Sequence, residues 1–485
     1  MSLVRDQESI VAADISERGP CVTPEPRRLN PQTVAVFPIH NQSGDPEQDY
    51  FCDGITDDII YALSRIRRLK VIGHASVFAL KGVAQDAREV GAKLGAGTVV
   101  DGTVRKSGNQ LKIFAEVLDA TTGEIRWAQT YERLMDDVFA VEEVIAEVVA
   151  RVLHMTLTHP VSRRLIRSAP NMDAYLLYLR GRHECNRMRA DCYRTGAEIL
   201  ERATSMFPSY ASAYAGLAEA YTYLAVWGLA RPREVFPKAL KAAQQALRLD
   251  PSLPHAYSSL AAATAFYERR WEEGLAYARA ATELEPSYSF GQHVYALCLL
   301  ARGEMEKAQD HLELAVDLDP LSVRAHRSLG WMLYLARRSA SAEQWLKAAL
   351  VLDPEPLETH YLLAHLYMSQ HRFAAALKQA KQCQTEPASP LGLSVLGACV
   401  AHLNRREEAL EIVATLSRKA EAGYVPSSAF AQVHIALGNM DQAIESLAKS
   451  LDEREPFSAF LKLDPEFDPL RGEPRFGELV SRLGL

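Results

Sequence analysis

The sequence predicts an α/β sandwich domain, a mixed sheet covered by helices, followed by an all-α superhelical solenoid. Two patterns carry this expectation. Short apolar runs alternate with helix-like segments over 31–158, and from 174 to 451 prolines and small residues recur about every 34 positions. Length agrees, because a chain of 485 residues exceeds the roughly 250–300 at which one hydrophobic core stops growing.

The first half reads element by element. TVAVFPI (33–39) is a continuous apolar run, the mark of a strand buried on both faces. HNQSGDPEQDYFCDG follows as an expected polar loop. In ITDDIIYALSRIRRL the residues Ile55, Ile59, Ile60, Leu63 and Ile66 return at helical spacing, with Asp57 and Asp58 expected in a first turn that favours acids. KVIGH is expected as a strand, DAREVGAKLG as a short helix and AGTVVDGTVRK as another strand. QLKIFAEVLDATTGEIRWAQTYER reads as a hairpin turning at TTG, and DDVFAVEEVIAEVVARVLHM as an amphipathic closing helix. This order describes one mixed sheet with helices packed on it. Residues 1–30, with the Pro-rich GPCVTPEPRRLNPQ, are expected to be a flexible linker.

In the second half Pro251, Pro286, Pro320, Pro354 and Pro387 are spaced by 35, 34, 34 and 33 residues. Each is expected to end a helix, since proline lacks the N–H that the next turn needs. Small residues keep the same register. Ala262, Ala296, Gly330, Ala364, Gly397 and Ala431 form one column; Gly274, Ala308, Ala342, Ala376, Ala409 and Ala443 form a second. Ala246, Ala281, Ala315 and Ala349 form a third. Such columns let two antiparallel helices approach at the short end of the ~8–10 Å range. Leu312, Leu346 and Leu447, one turn beyond the second column, face the same core.

The columns and prolines resemble the tetratricopeptide repeat family over roughly 174–451. Repeats begin near 255, 289, 323, 357, 390 and 424, with degraded ones near 174 and 209 that keep Gly181, Gly216, Ala203 and Pro208. LAVWGLARPRE is an insertion expected to protrude as a longer loop. Residues 452–485, with a last helix from about Pro474 to Leu483, are expected to cap the array.

VAVFPIHNQSGDPEQDYFCDGITDDIIYALSRI and GAGTVVDGTVRKSGNQLKIFAEVLDATTGEIRWAQTYER are similar to the domain related to the amino-terminal domain of the translocation protein TolB. The ending FLKLDPEFDPLRGEPRFGELVSRLGL is similar to the ending of bacterial chains that join this module to tetratricopeptide repeats. The resemblance implies a bacterial regulator. Such relatives commonly place a class III nucleotide cyclase or a winged-helix DNA-binding domain ahead of the TolB-like unit. Residues 1–30 are shorter than a domain, so that effector is expected to be absent from this chain.

Composition narrows the function. A formal net charge of -7 argues against direct nucleic-acid binding, which needs clustered cations. The run Arg65, Arg67, Arg68 and Lys70 is expected to serve a helix end. The seven cysteines contain no Cys-x-x-Cys pair and read as reduced thiols. Acidic residues near the start argue against a secretory signal, and no stretch of about 18 apolar residues follows, so a cytoplasmic protein without membrane insertion is expected.

No phosphate-binding loop, nucleophile elbow or His-Glu-x-x-His site occurs. Asp45, Glu47, Asp49, Asp53, Asp57 and Asp58 cluster but match no calcium loop, and turn and helix-start roles account for Asp45, Asp53, Asp57 and Asp58. His360 with His365, and His293 with His326, read as repeat-helix residues and not as metal ligands. No catalytic residue, metal or cofactor is therefore expected.

Repeats of this kind line their concave groove with the first helix of each pair. The register places Phe266, Tyr267, Phe290, His293, Arg324, Arg327, Trp331, Tyr334, Tyr361 and His365 there. Trp, Tyr and Arg dominate interface energetics, which points to a non-enzymatic scaffold that binds a protein partner through this groove. Lys and Asn are absent from the positions where a family subset grips carboxyl-terminal peptides: Arg327, Trp331, Tyr361 and His365 stand there. Two other readings stay open: a component acting through a separately encoded cyclase or DNA-binding partner, and an enzyme with an unrecognised site in the α/β domain.

Overall fold

The structure, a computed structural model, describes residues 27–66, 69–82, 86–134, 138–153, 171–187, 189–384 and 389–485. Expectations for most of the linker, Cys21, Arg67, Arg68 and Pro387, and for the chain between the two units, lie outside the described residues.

The first unit is a mixed sheet. Strands β1 (Asn30–Val36), β2 (His40–Asn41), β3 (Lys70–Val71), β4 (Ala96–Ser107), β5 (Gln110–Asp119) and β6 (Ile125–Leu134) are arranged β3-β1-β4-β5-β6, with β2 beside β4. β1 runs parallel to β3 and β4, while β4, β5 and β6 form an antiparallel meander. Alternate residues of β1 serve opposite faces, as a strand's two-residue period requires. Val34 and Val36 join Phe51, Ile55, Ile59 and Ile145 on one side. Ala35 joins Val77, Val90 and Leu94 on the other. Asp86 caps the helix Ala87–Leu94 through Arg88 N and Glu89 N, and Gly95 ends it at φ 71°.

One helix begins earlier than the sequence suggests. Pro46–Gln48 forms a 3-10 turn capped by Asp45, and an α-helix then runs from Asp49 to Ser64. DYFCDG is helical because Phe51, Cys52 and Ile55 bury its face. Asp57 and Asp58 therefore lie in mid-helix, outside the first turn. The expected strand KVIGH is a strand only over Lys70–Val71, and His74 instead opens a five-residue helix, His74–Phe78, capped by Gly73.

The second unit is eight antiparallel helix pairs. Their first helices are Met172–Asn186, Ala211–Val226, Pro254–Ala262, Ser289–Ala301, Val323–Leu335, Leu357–Ser369, Pro390–His402 and Ser427–Ala436. The third continues as a π-helical turn, Ala263–Tyr267. The small-residue columns lie in the seams. Ala308, Ala342, Ala376, Ala409 and Ala443 are all fully buried. A Cβ on Gly330 would sit 2.8 Å from Leu346 Cγ, and one on Gly397 2.8 Å from Val433 Cγ2. The last helix is Pro474–Ser481, packed through Phe476 and Leu479.

The insertion does not protrude. The helix Ala211–Val226 runs into it and the next helix starts at Pro232. The short tip packs on the far end of the array: Trp227 lies 6.0 Å from Phe457 and Arg231 is 5.7 Å above the Tyr424 ring. Early and late repeats also meet where Arg269 Nη2 donates to Leu451 O (2.8 Å) and Trp271 Nε1 to Leu483 O (2.9 Å). The solenoid thus closes on itself. Among the described residues no helix is long and apolar enough to cross a membrane, and the described cysteines are unpaired thiols.

Candidate functional site

The ten groove residues do fall on first helices or their turns, but none is exposed. Phe266, Arg327, Trp331, Tyr334 and His365 are buried, and Tyr267, Phe290, His293, Arg324 and Tyr361 half-buried. The carboxyl-terminal segment covers some of them, and neighbouring repeats enclose the rest.

The carboxyl-terminal segment after the eighth pair lies against Phe266, Trp331, Tyr334 and His365. Two 3-10 turns, Pro456–Phe460 and Pro465–Leu470, lay their side chains on the inner face. The Phe460 ring meets Trp331 edge-on at 4.7 Å and Phe266 at 5.9 Å, and Phe457 meets Trp331 at 5.8 Å. Tyr334 Oη donates to Asp464 Oδ1 (3.0 Å), and Gln432 donates to Tyr361 Oη and, at 3.4 Å, to Glu466 Oε2.

His365 Nδ1 lies 3.6 Å from Glu466 Oε2. Burial holds this imidazole down at about 3. Burial, then the neighbouring Asp464, pushes the Glu466 carboxyl far up. Burial thus disfavours the charged form of both groups, despite their ion-pair geometry.

The turns inside the pairs help hold this segment. Arg269, Gly303, Arg337, His371, Asn404 and Gly438 occupy one recurring position, each at φ between 57° and 80°. Glycine suits that left-handed backbone, and other residues strain it. Two of the arginines use it to reach the late chain: Arg269 bonds Leu451 O, and Arg337 makes a two-pronged contact with Asp468 (2.5 and 2.7 Å). This position recurs about every 34 residues, but its mixed Gly, Arg, His and Asn occupancy hides it in the sequence.

The α/β domain meets the repeats elsewhere, through charge and through Tyr175 and Leu179 of the first repeat helix, which are buried in its own core. Asp57 Oδ1 lies 2.5 Å from His74 Nδ1, and Asp57 Oδ2 accepts from Arg182 Nη2 (3.1 Å) on the first repeat helix. His74 and Arg182 hold this carboxyl below its ordinary range against the opposing effect of burial, which is the largest single influence on it. Tyr175 Oη donates to Asp58 (2.5 Å), and burial still pushes the Asp58 carboxyl up to about 6. Lys81 pairs with Asp53, and Lys70 with Asp317. Ser76 N donates to Asp319 Oδ1 (2.7 Å) and Gly73 N to Leu318 O (2.8 Å). Three acids of the supposed turn cluster, Asp53, Asp57 and Asp58, are therefore partners of other elements. Among the described residues no group of His, Cys, Asp and Glu is placed to hold a metal.

Of the groove set, Arg324 lies over Tyr223 (5.0 Å) and Phe290 (4.8 Å), Arg327 lies over Trp227 (5.0 Å) and pairs with Glu358 (3.4 Å), and His293 stacks on Phe290. Tyr267 stacks on Phe236 inside the array.

Family models for the tetratricopeptide repeat match residues 296–355 and 429–456, and the chain carries these repeats. A protein of Rhizobium meliloti (strain 1021) named "Putative adenylate cyclase 3" is 36% identical over 249 residues, 51% of this chain and 42% of that one. Transcriptional regulator HilA of Salmonella typhimurium is 26% identical over 164 residues, 34% of this chain and 30% of HilA. The matches thus span less than half of either curated relative. Solved structures similar to the chain include the type IV pilus biogenesis factor PilW (20% identical, TM-score 0.35, covering 47% of this chain and 99% of PilW) and the APC/C hetero-tetramer Cut9-Hcn1 (12%, TM-score 0.41, 72% and 63%).

Proposed function

We propose that this chain is a non-enzymatic bacterial regulatory scaffold that binds a protein partner through the inner face of its repeats. The observation that carries the reading is the seating of Phe457, Phe460 and Asp464 on Phe266, Trp331 and Tyr334. That face already accepts a short aromatic and acidic segment, and a partner of like chemistry takes its place. The α/β domain, with its TolB-like sequence, serves as an accessory sensing or docking module. Buried Trp, Tyr and Arg anchors dominate such contacts. Trp331→Ala combined with Arg327→Ala is expected to weaken partner binding by at least ~2 kcal/mol with helical content unchanged. Calorimetry on a partner captured by the full chain checks this; full-strength binding by the double variant moves the interface off the groove.

A second reading fixes the class of partner. The similarity to proteins named as an adenylate cyclase and a transcriptional regulator supports a place in cyclic-nucleotide or transcriptional signalling. Here the output belongs to a separately encoded cyclase or DNA-binding protein. Recovery of such a protein on the wild-type chain but not on the Trp331 variant supports this reading; cyclic nucleotide made by the purified chain alone overturns it.

A further inference from the structure

The α/β domain does not meet the solenoid flush. A cavity of about 460 Å³ lies between the helix Asp49–Ser64 and the inner ends of the early repeats, within the size range of small-molecule sites. Most charges at its edge are satisfied inside the protein: Asp57 by His74 and Arg182, and Asp319 by Ser76. Glu285 is different. It is only 4% exposed, and its Oε2 has no hydrogen-bond partner among the described residues. Ser64 lies against this carboxyl, but a buried carboxyl oxygen left without a partner is costly, and Glu285 lines a cavity wide enough to admit a donor.

The rest of the wall has matching chemistry. Glu219 brings a second carboxyl, and Arg324, fixed over Tyr223 and Phe290, brings a cation. Tyr61, His255 and Tyr288 form an aromatic side, with ring centroids 5.9 and 4.4 Å apart in sequence. Burial holds His255 at about 3, so that side is uncharged. Acid, cation and aromatic surface thus meet in one cavity.

We propose that this interdomain cavity binds a small zwitterion of the free amino-acid class, its ammonium group on Glu285 and Glu219 and its carboxylate on Arg324. The aromatic side receives the ligand's side chain. Such a ligand touches the α/β domain and the repeats together, and so strengthens their docking. Burial pushes the Glu285 carboxyl up to about 8 against the opposing effects of Ser64, Arg65 and Arg182, so an arriving ammonium group is expected to displace a proton into the buffer near pH 7.

The experiment is thermal shift followed by calorimetry on the full chain with the twenty L-amino acids, their N-acetyl and carboxamide derivatives, and dipeptides. At least one free amino acid is expected to raise the melting temperature and bind one to one, with loss of tenfold or more on acetylation or amidation. Its binding enthalpy is expected to vary with the ionisation enthalpy of the buffer. Glu285→Gln is expected to weaken binding at least tenfold and abolish that buffer dependence, and Glu219→Gln to weaken it without abolishing it. Binding by dipeptides alone keeps the zwitterion chemistry and moves the source to short peptides. No binding by any zwitterion, undiminished binding of the blocked derivatives, or full affinity in Glu285→Gln overturns the proposal. These variants leave the Trp331 face intact, so failure here is separate from failure of the groove reading.

Discussion

The solenoid is gripped at two places by chain that is not repeat, and the two grips differ in kind. The carboxyl-terminal segment holds by aromatic packing, with Phe460 and Phe457 on Trp331 and Phe266. The α/β domain takes Tyr175 and Leu179 of the first repeat helix into its core and adds buried and half-buried charge that the other grip lacks on this scale, through Asp57 with Arg182, Lys70 with Asp317, and Asp319 with Ser76. Burial of rings stabilises without directional demands. A buried charge pair adds little net stability but is costly to break, so it fixes how two bodies sit. The rings of the first grip therefore supply strength, and the charges of the second add orientation to its apolar contact.

The strongest test of this contrast is Phe460→Ala. The ring is 4% exposed, and its loss is expected to cost about 3–4 kcal/mol. Chemical denaturation measures the cost, and hydrogen exchange should quicken over 456–470. The same variant is expected to bind a groove partner more tightly, because the competing segment is loosened. An unchanged denaturation midpoint would show that the segment contributes nothing to closure.

At the other grip Asp57→Ala is expected to cost about 2 kcal/mol, less than a fully buried pair, because Arg182 keeps some solvent contact. The effect should appear as faster exchange in both Asp49–Ser64 and Met172–Asn186. Protection lost in only one of those helices would mean that Asp57 does not orient the two bodies.

Acid separates the grips further. Burial pushes the Asp464 carboxyl up to about 6 and Glu466 well up, while Tyr334, Arg337, His365, Gln432 and Asp468 face them. Groups whose pKa rises on docking stabilise the docked state fully below their ordinary carboxyl range, and that stabilisation is lost as pH rises through the docked value. The segment is thus expected to be tighter at pH 5 than at pH 7.5. Asp57 has the opposite sign, since its docked pKa is depressed: its contribution is present above the ordinary carboxyl value and is lost as pH falls through the docked value. Protection factors over 456–470, which remove the intrinsic pH dependence of amide exchange, that do not fall between pH 5 and 7.5 would remove the acidic pair from the account.

The smallest expected effect concerns the left-handed turn. His371 lies at φ 57°, and its ring packs only edge-on to Phe373 at 5.8 Å. His371→Gly is expected to stabilise by up to ~1 kcal/mol. Arg337→Gly, at the same turn position, should lose stability, because it also gives up the contact with Asp468. Equal shifts in the two variants would show that the arginine's reach does not offset its backbone strain.

Repeats were legible in the sequence because their physics is local and periodic. A missing or methyl side chain at Gly330, Ala342 or Ala376 is required wherever two helices of a pair touch, and that need returns with every pair. The sheet of the first unit was legible for a similar reason, since apolar runs bounded by turns leave few alternatives. The groove residues could be placed on their helices from register alone.

What covers those residues was decided only by the tertiary structure. Trp331 and Phe460 are far apart in sequence, and Asp57 and Arg182 lie in different units; no period relates either pair. The curvature that brings Trp227 and Trp271 to the end of the chain is a sum of small rotations, one per repeat. Each rotation is set by packing details that the column pattern does not encode. The sequence alone determined that a curved helical array with an aromatic inner face would form; the accumulated curvature decided that the array would close and fill that face with its own carboxyl-terminal segment.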